Sequence, residues 1–513
     1  MVVVKRALLS CHDKAGLDVF AKALASLGVE LVASGGTAEF LTKQGLRIKT
    51  VEEFAGITEQ LDGRVKTLHP KIYAGILARR DDPAHVKAVG AQGLIDLVVV
   101  NLYPFEHTVR QPGVSLQEAI EQIDIGGVAL LRAGAKNFAH VAAVCQPGQY
   151  AEVAQALRQG HGALPDTLSR ELAVVAFHVT STYDTVISGY LGGAGDGSAS
   201  PEVATVTVRK RQGLRYGENP HQRGAWYVPA SGPVWGIGTL SQLQGKELSY
   251  NNLLDLDAAL RCLVDFDEPT CTIIKHHSPC GLASAATIGK AFALAYECDR
   301  ESAFGGIVGF NRPMDQATAA QLTETFLEVV MAPSVDPGAV ALFGRKPNLR
   351  AVTLEWPTRV SPGLAWRHLW GSWLLQDPDR VTVAQESLNV VTKRAPTEHE
   401  RADLVFAWNV AKHVQSNAIV LVRERATVGI GQGQPSRVGS VRLALEKAGG
   451  RSRGAVAASD GFFPFPDSIE LLAKAGVRAV IQPGGSIRDA EVVETADRAD
   501  LAMVLTGIRH FRH

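Results

Sequence analysis

A lysine and two histidines follow a short apolar run near the middle of the chain. Residues 272–281 read TIIKHHSPCG. The apolar run is typical of a buried strand, which Pro279 and Gly281 are expected to end. The ammonium of Lys275 could stabilise a developing negative charge, and a histidine can transfer a proton near neutral pH. A solvated polar turn explains this stretch equally well by itself, so other motifs have to decide.

The two histidines are adjacent, and neighbouring residues of a strand face opposite sides of the sheet. At most one of His276 and His277 is therefore expected to share the chemistry of Lys275, and the other is expected to pack or to support it. A zinc deaminase needs H-x-E together with P-C-x-x-C. The chain has Pro279-Cys280, but residue 283 is Ala and none of the 15 histidines begins an H-x-E. The sequence therefore predicts no metal site.

The N-terminal region carries a second set of residues that could do chemistry. Ser34-Gly35-Gly36-Thr37 lies between an apolar run and a helical pattern, where free backbone N–H groups form a ready anion site. Asp124 precedes two glycines that open a helix, so it could cap that helix or orient a substrate. Solvated surface charge remains the simpler interpretation of the basic residues nearby, which are Lys14, Arg64, Lys66 and Lys136.

Length and composition limit the class of protein. A chain of 513 residues predicts two to four domains. Lys+Arg and Asp+Glu both total 52, so no broad charged surface for nucleic acid or an anionic membrane is indicated. The six cysteines form no C-x-x-C pair, and the N-terminus lacks the apolar core of a signal peptide, which together favour a cytoplasmic location.

Strand and helix patterns alternate along most of the chain, which predicts α/β domains with a largely parallel sheet covered on both faces. The stretch Gly192–Pro201, GGAGDGSASP, is the clearest linker candidate. Two α/β blocks after it suggest an internal duplication. We expect domains at 1–195, 200–385 and 386–513, the first with a core of about 1–146.

Several long motifs occur in order from Ser10 to His513. They are LVASGGTAEFL, GRVKTLHPKIYAGIL, NLYPF, IDIGGVALLRAGAKN, LRYGENPHQ, IKHHSPCG, SAFGGI, QSNAIV, SDGFFPFPDSIE, QPGGSIRD and TGIRHFRH. With these motifs the chain resembles the bifunctional purine-biosynthesis enzymes that join phosphoribosylaminoimidazolecarboxamide formyltransferase to IMP cyclohydrolase. The resemblance implies a methylglyoxal-synthase-like, doubly wound N-terminal domain, followed by two cytidine-deaminase-like α/β subdomains without zinc.

For the N-terminal domain the resemblance implies closure of the formylated ribotide ring to give IMP. Such an intramolecular attack is accelerated largely by positioning, oxyanion stabilisation and proton transfer. Lys66 would stabilise the oxyanion, and Tyr103, Asp124 and Lys136 would serve proton transfer and orientation. The implied substrate-binding residues are Ser10, Lys14, Ser34, Thr37, Arg64, Thr67, Asn101, Gly126 and Gly127, of which Ser10, Lys14, Ser34 and Thr37 would hold the 5′-phosphate.

For the remainder the resemblance implies formyl transfer from 10-formyltetrahydrofolate, a co-substrate, to 5-amino-imidazole-4-carboxamide ribotide. His276 would take the amine proton, Lys275 would stabilise the tetrahedral oxyanion, and Asn417 would hold the formyl or carboxamide group. Contacts to the ribotide and the folate would come from Arg215, Tyr216, His221 and Phe304. A homodimer with the transformylase sites at its interface is implied as well.

Some positions depart from the pattern of the family. His12 stands where a small hydroxyl residue is frequent, and Gln415 stands where Lys is frequent. The other departures are Gln432, Pro435, Gly439, Trp370 and Trp373. Two rival hypotheses remain: an active cyclohydrolase with a degraded transferase, and a nucleotide sensor without activity, which would need losses among the ionisable groups named above.

Overall fold

The computed structural model describes residues 1–58, 61, 64–193, 201–357 and 363–513. These residues form two compact units, Met1–Val208 with Pro229–Gly232, and Arg209–Val228 with Pro233–His513. The predicted linker Gly192–Pro201 falls mainly on residues 194–200, outside the described residues. In the described ranges no helix combines the length and the apolarity that a membrane crossing requires.

The first unit is built around one parallel sheet. Its strands are β1 (Val2–Val3), β2 (Arg6–Cys11), β3 (Glu30–Ala33), β4 (Ile48–Thr50), β5 (Leu97–Asn101), β6 (Ala142–Val144) and β7 (Ala163–Leu164). Its helices are α1 (Leu17–Ser26), α2 (Gly35–Lys43), α3 (Val51–Ala55), α4 (Pro70–Leu77), α5 (Pro83–Val89), α6 (Phe105–Val109), α7 (Leu116–Glu121), α8 (Gly126–Lys136), α9 (Tyr150–Gln159) and α10 (Asp166–Leu191). Five strands pair in parallel in the order β4-β3-β2-β5-β6.

Both faces of this sheet are buried, as the sequence predicts for a parallel sheet. Leu9 and Leu31 belong to one hydrophobic core, and their strand neighbours Leu8 and Val32 belong to another. Alternate residues of each strand thus enter opposite cores. Because β2, β3 and β5 are parallel, their carboxyl ends share one edge of the sheet, where ligands of doubly wound sheets bind.

The second unit contains the rest of the elements, apart from Val208 and Pro229, two strand-end residues that belong to the first unit. Its strands are β8 (Val208–Leu214), β9 (Gly224–Pro229), β10 (Ser241–Gln244), β11 (Thr270–Lys275), β12 (Ser278–Ser284), β13 (Ile307–Phe310), β14 (Val329–Ala332), β15 (Arg350–Thr353), β16 (Ala365–Leu369), β17 (Ser372–Gln376), β18 (Asn389–Val390), β19 (Ile419–Arg423), β20 (Ala426–Gly431), β21 (Val456–Ser459), β22 (Ala479–Gln482) and β23 (Ala502–Leu505). Its helices are α11 (Tyr250–Leu263), α12 (Ile288–Cys298), α13 (Arg300–Ala303), α14 (Gln316–Leu322), α15 (Pro337–Phe343), α16 (Glu398–Ala411), α17 (Arg437–Ala448), α18 (Asp467–Lys474) and α19 (Asp489–Arg498).

One twelve-stranded sheet runs through this unit in the order β10-β15-β14-β13-β11-β12-β20-β19-β21-β22-β23-β18. The order from β12 outwards repeats from β20 outwards, with the same antiparallel and parallel pairings in both halves. The halves meet where β12 pairs with β20 in antiparallel orientation. The internal duplication suggested by the sequence is therefore present, although the sheet is mixed rather than largely parallel.

Helix packing follows the duplication. Leu256 of α11 and Trp408 of α16 lie in one shared core on one face of the sheet. The opposite face carries two separate cores, one around Phe292 of α12 and one around Val441 of α17. Because β19 and β11 are antiparallel, the carboxyl end of β11 and the amino end of β19 share one edge of the sheet. Lys275 and Asn417 are thereby brought to the same edge.

Candidate active sites

A cavity of about 730 Å³ opens at the carboxyl edge of the first sheet. Its volume lies within the range of small-molecule sites. The predicted cyclohydrolase residues that line it are Ser10, Lys14, Ser34, Thr37, Arg64, Lys66, Thr67, Asn101, Tyr103, Asp124, Gly126 and Gly127. Segments far apart in sequence thus meet in one cavity.

One end of the cavity is formed by the turn before α2. The Ser34 hydroxyl donates to Ser10 Oγ at 2.9 Å and does not cap the helix. The Thr37 hydroxyl accepts from the Cys11 N–H and donates to the Cys11 carbonyl, both at 3.0 Å. These bonds hold the end of β2 against the first turn of α2, whose free N–H groups favour an anion.

Lys14 lies beside this turn. Its ammonium donates to the carbonyl of Cys11, and at 3.3 Å to that of His12. Burial lowers the pKa of the Lys14 ammonium. The loop is fixed by Asn101, whose side chain accepts from the Asp13 N–H at 2.8 Å and donates to the Asp13 carbonyl at 2.9 Å. Asn101 therefore shapes the cavity through the backbone of this loop.

Asp124 organises another part of the cavity lining. Its carboxylate accepts the N–H of Gly127 at 2.6 Å and that of Tyr103 at 3.3 Å. Asp124 lies one residue before Ile125, the N-cap of α8, and its carboxylate holds both the first turn of that helix and the backbone of Tyr103. Burial raises the pKa of the Asp124 carboxyl, although both N–H groups act in the other direction. Tyr103 itself is exposed, with its ring edge against His12 at 5.7 Å between centroids.

Two further basic residues of the cavity, Arg64 and Lys66, come from the segment before α4. Arg64 forms an ion pair with Glu121, which also lines the cavity. Thr67 is buried, and a Cβ on Gly126 would lie 2.5 Å from its Oγ1. Gly126 is therefore required by the close approach of α8 to this segment rather than by its backbone angles.

One predicted residue, Lys136, is not among those that line this cavity. Lys136 is the last residue of α8 and is exposed, whereas the cavity is lined by the first residues of that helix. Ten residues of α-helix separate the two ends by roughly 15 Å. Within one chain, Lys136 therefore lies outside the cavity, and its role in proton transfer and orientation stays a prediction.

The second candidate site lies at the edge of the sheet where β11 ends. His276 and His277 were expected to lie in a strand. They are instead the two residues of a tight turn, with φ of 51° and 64°. Lys275 pairs with Ser278 across it, and Pro279 and Gly281 belong to β12 instead of ending the structure. The prediction that the two histidines face opposite sides of a strand is therefore wrong.

Lys275 is held by the turn that precedes the neighbouring strand β13. Its ammonium donates to the carbonyls of Phe304 at 3.0 Å and Gly305 at 3.1 Å. Gly305 has φ of +67°, and a Cβ there would lie 3.2 Å from the ring of Phe326. Phe304 is exposed beside Phe326, with ring centroids 5.2 Å apart. A cation and an exposed aromatic pair thus adjoin the histidine turn.

Asn417 lies at the same edge, before β19. Its side chain donates to the Gln434 carbonyl at 2.8 Å and accepts from Arg437 at 2.8 Å. Arg437 in turn pairs with the fully buried Asp460. Three strand spacings, roughly 14 Å, separate β11 from β19. Lys275 and Asn417 therefore share an edge without touching each other.

Arg215 and Tyr216 follow β8, and the Arg215 guanidinium lies 5.4 Å from the centre of the Tyr216 ring. Both lie close enough to Arg350 to act on its pKa, which burial lowers. His221 is in the loop between β8 and β9, where Asn251 at the start of α11 donates to Glu218. The predicted ribotide residues are thus placed at loops of the second unit.

Two charged residues near these groups were missed. Arg350 at the start of β15 lies among Arg215, Tyr216 and Glu328. Asp255 of α11 accepts the His277 N–H at 2.8 Å. Neither belongs to a motif that identifies it, because each acts through a partner distant in sequence. Only the spacing of Asp255 in α11, compared with the second half, could have indicated it.

The residues that differ from the family pattern lie in varied surroundings. The Gln432 Oε1 is buried and has no hydrogen-bond partner within the described part of the chain. Gly439 donates its N–H to Ser436, the N-cap of α17. Trp370 is wholly exposed at the turn between β16 and β17, and Trp373 packs edge-on against His368. In the described ranges no group of three or more His, Cys, Asp or Glu could hold a metal ion.

Comparison with known proteins agrees with this architecture. The model of the AICARFT/IMPCHase bienzyme family matches residues 134–447, and that of the MGS-like domain matches residues 16–129. A protein from Cereibacter sphaeroides named "Bifunctional purine biosynthesis protein PurH" is 50% identical over 529 aligned positions, covering 100% of this chain and 99% of its own. The proteins of the same name from Trichormus variabilis and Anoxybacillus flavithermus are each 48% identical, over 100% and 99% of this chain and 100% of their own.

A parallel α/β unit with a cavity at the carboxyl ends of its strands, followed by a duplicated α/β unit, defines a class of two-part proteins with one candidate site in each part. The matches cover the chain from end to end and are far above the similarity that defines a family. The chain belongs to the AICARFT/IMPCHase bienzyme family. It is a bifunctional formyltransferase and IMP cyclohydrolase, the enzyme of the last two steps of IMP synthesis.

Proposed function

We propose that the cavity of the first unit closes the ring of the formylated aminoimidazole carboxamide ribotide, with loss of water. The observation that supports this proposal best is that the turn at the start of α2, Lys66 and Asp124 all line one cavity. Ser10, Lys14, Ser34 and Thr37 hold the 5′-phosphate at the start of α2. The rest of the cavity is then left for the base and its two reacting substituents.

In this proposal ring closure depends mainly on holding the carboxamide nitrogen against the formyl carbon. Lys66 stabilises the oxyanion that forms when the nitrogen attacks. Tyr103 and Asp124 orient the amide and move the protons that leave with water. The raised pKa of the Asp124 carboxyl suits this role, because burial lets it hold a proton at a higher pH than an exposed aspartate.

We propose that formyl transfer takes place at the edge where β11 ends, with 10-formyltetrahydrofolate as the formyl donor. His276 takes a proton from the attacking amine of the ribotide, and Lys275 stabilises the tetrahedral oxyanion. Phe304 packs on the folate ring, and Arg215, Tyr216 and His221 contact the ribotide. The exposure of the Phe304 ring beside Lys275 supports this arrangement.

Asn417 is proposed to hold the formyl or carboxamide group. Within one chain Asn417 lies roughly 14 Å from Lys275 along the edge of the sheet. The two side chains of one chain therefore do not meet. This separation supports a homodimer in which residues of two copies complete each transformylase site. The cytoplasmic location expected from the sequence stays a prediction.

Assays of the two half reactions test the proposal. The purified chain is given the ribotide with 10-formyltetrahydrofolate, and separately the formylated ribotide alone, and IMP is measured. The proposal expects IMP in both assays, with Lys66 needed for both and His276 needed only for the first. An active cyclohydrolase without transfer would favour the rival with a degraded transferase, and no IMP in either assay would favour the sensor.

A further inference from the structure

The two halves of the second unit contain the same turn, held in the same way. In the first half His276 and His277 both have positive φ, and in the second half Glu424 and Arg425 do, at 55° and 56°. Each turn joins the two strands of a hairpin, β11 to β12 and β19 to β20, and each pair has a register shift at the equivalent position. The duplication therefore preserved a backbone feature while its side chains changed.

An aspartate on the shared helix layer holds each turn. Asp255 of α11 and Asp403 of α16 stand at the same spacing before the first residue of their turns. Asp403 accepts the N–H groups of Glu424 and Arg425, both at 2.8 Å. Asp255 accepts the N–H of His277 at 2.8 Å. The equivalence indicates that holding the turn is the shared role of both acids.

We propose that Asp255 is a positioning residue for formyl transfer, which fixes the His276–His277 turn and thereby the direction of His276. This inference rests on the proposed role of His276. Left-handed backbone conformations are unfavourable for residues with a Cβ, so two such histidines in succession need a fixed partner. Asp255 supplies that partner on one side of the turn, and the carbonyls that bind Lys275 supply it on the other.

The two acids differ in one respect that concerns the site. Both carboxylate oxygens of Asp403 accept backbone N–H groups, and this residue is only 3% exposed. Asp255 uses Oδ1 for the turn, and the same atom lies 3.9 Å from the His277 imidazole. Among the described residues its Oδ2 accepts no hydrogen bond. Burial raises the pKa of the Asp255 carboxyl, and the nearby His277, His276 and Lys275 act in the other direction.

The geometry separates a hydrogen-bonding role from a role of charge. Asp255→Asn keeps an amide oxygen that can accept the His277 N–H, whereas Asp255→Ala removes the acceptor. A small misplacement of a catalytic group can cost on the order of 100-fold in rate. We expect Asp255→Ala to lower kcat of formyl transfer by roughly 10- to 100-fold with little change in KM for the ribotide, and Asp255→Asn to restore most of it.

Asp403→Ala is the matched control within the same chain. It removes two buried hydrogen bonds from the equivalent turn, but that turn lies at the opposite edge of the sheet because β19 runs antiparallel to β11. Asp403→Ala should therefore lower the melting temperature at least as much as Asp255→Ala, and leave kcat of formyl transfer within about twofold of the wild type among folded molecules. Cyclohydrolase activity in the same samples reports the amount of folded protein.

The outcomes distinguish this inference from the proposed function. If His276→Asn leaves formyl transfer intact, the role of His276 is wrong. If His276→Asn abolishes transfer while Asp255→Ala does not lower kcat, Asp255 is not a positioning residue. Equal losses in Asp255→Ala and Asp403→Ala would also overturn the inference, because stability alone would then explain the effect. Should Asp255→Ala fail to fold, a loss of kcat in soluble Asp255→Asn as large as that in His276→Asn would overturn it.

Discussion

A Cβ atom placed on Gly35 would lie 2.6 Å from the Nζ atom of Lys66. The lysine ammonium therefore rests directly against the first residue of α2. The N-terminus of a helix carries partial positive charge, which also favours an anion. Two independent sources of positive potential thus meet at one point of the cavity, where an oxyanion or a phosphate oxygen would be stabilised.

We predict that Lys66→Ala cripples ring closure and leaves formyl transfer nearly unchanged. Loss of one group that stabilises an oxyanion costs roughly 100- to 1000-fold in rate. The measurement is the conversion of formylated ribotide to IMP, with consumption of 10-formyltetrahydrofolate assayed in the same preparation as the control. Equal loss of both activities would mean that the substitution disturbs the fold or that the two sites are not independent.

We predict that His276→Asn abolishes formyl transfer while His277→Asn has a much smaller effect. Asparagine is chosen because it tolerates positive φ better than alanine, so the turn itself is preserved. A general acid or base contributes roughly 100- to 10,000-fold, whereas the contact of His277 with Asp255 is made by its backbone N–H. The kinetics of transfer are measured for both variants, with ring closure as the folding control. A larger loss in His277→Asn would contradict the assignment.

The fold of the first unit could be predicted from the sequence because the strands of a parallel sheet are continuous apolar runs. Leu8 and Leu9 are buried on opposite faces, so β2 is a continuous apolar run, and the glycine turn after β3 marks the ligand edge. The cavity residues were predicted one by one from motifs, and their meeting follows from this topology. Lys136 does not line the cavity because its motif spans a whole helix and only one end of α8 lies there.

The histidine turn could not be predicted by the same reasoning. A run of β-branched residues indicates a strand, but two histidines in left-handed conformation give no local signal, since glycine or asparagine is the usual marker of such turns. What holds this turn is Asp255, which lies on another element. The duplication showed the reason only after the topology was known, because Asp255 and Asp403 share their spacing but little surrounding sequence.

We predict that residues 1–199, expressed alone, fold and cyclise the formylated ribotide. The first unit has its own sheet with cores on both faces, which a self-sufficient domain requires. Circular dichroism and the ring-closure assay on the fragment test this expectation, with the full chain assayed in parallel. An insoluble or inactive fragment would count against a boundary in Gly192–Pro201, and a longer fragment ending at residue 232 would then be the one to compare, because Pro229–Gly232 belongs to the first unit.

We predict that Asp255→Asn makes the second unit relatively more stable than the wild type as the pH rises from 4 to 7. Burial raises the pKa of the Asp255 carboxyl above its ordinary value of 3.8. A carboxyl with a raised pKa binds more protons in the folded than in the unfolded state, so its contribution to stability is present below pH 3.8 and is lost as the pH rises through the folded pKa. Asparagine keeps the acceptor for His277 and lacks this titration. Melting temperatures of the two proteins across this pH range measure the difference. Asp403→Asn serves as the contrast: both carboxylate oxygens of Asp403 accept backbone N–H groups in the wild type, so this variant should be destabilised at every pH. The difference in melting temperature between Asp255→Asn and the wild type could instead stay constant with pH, or shift in favour of the wild type toward pH 7. Either result would show that the folded protein tolerates the charge of Asp255 without cost, against this prediction.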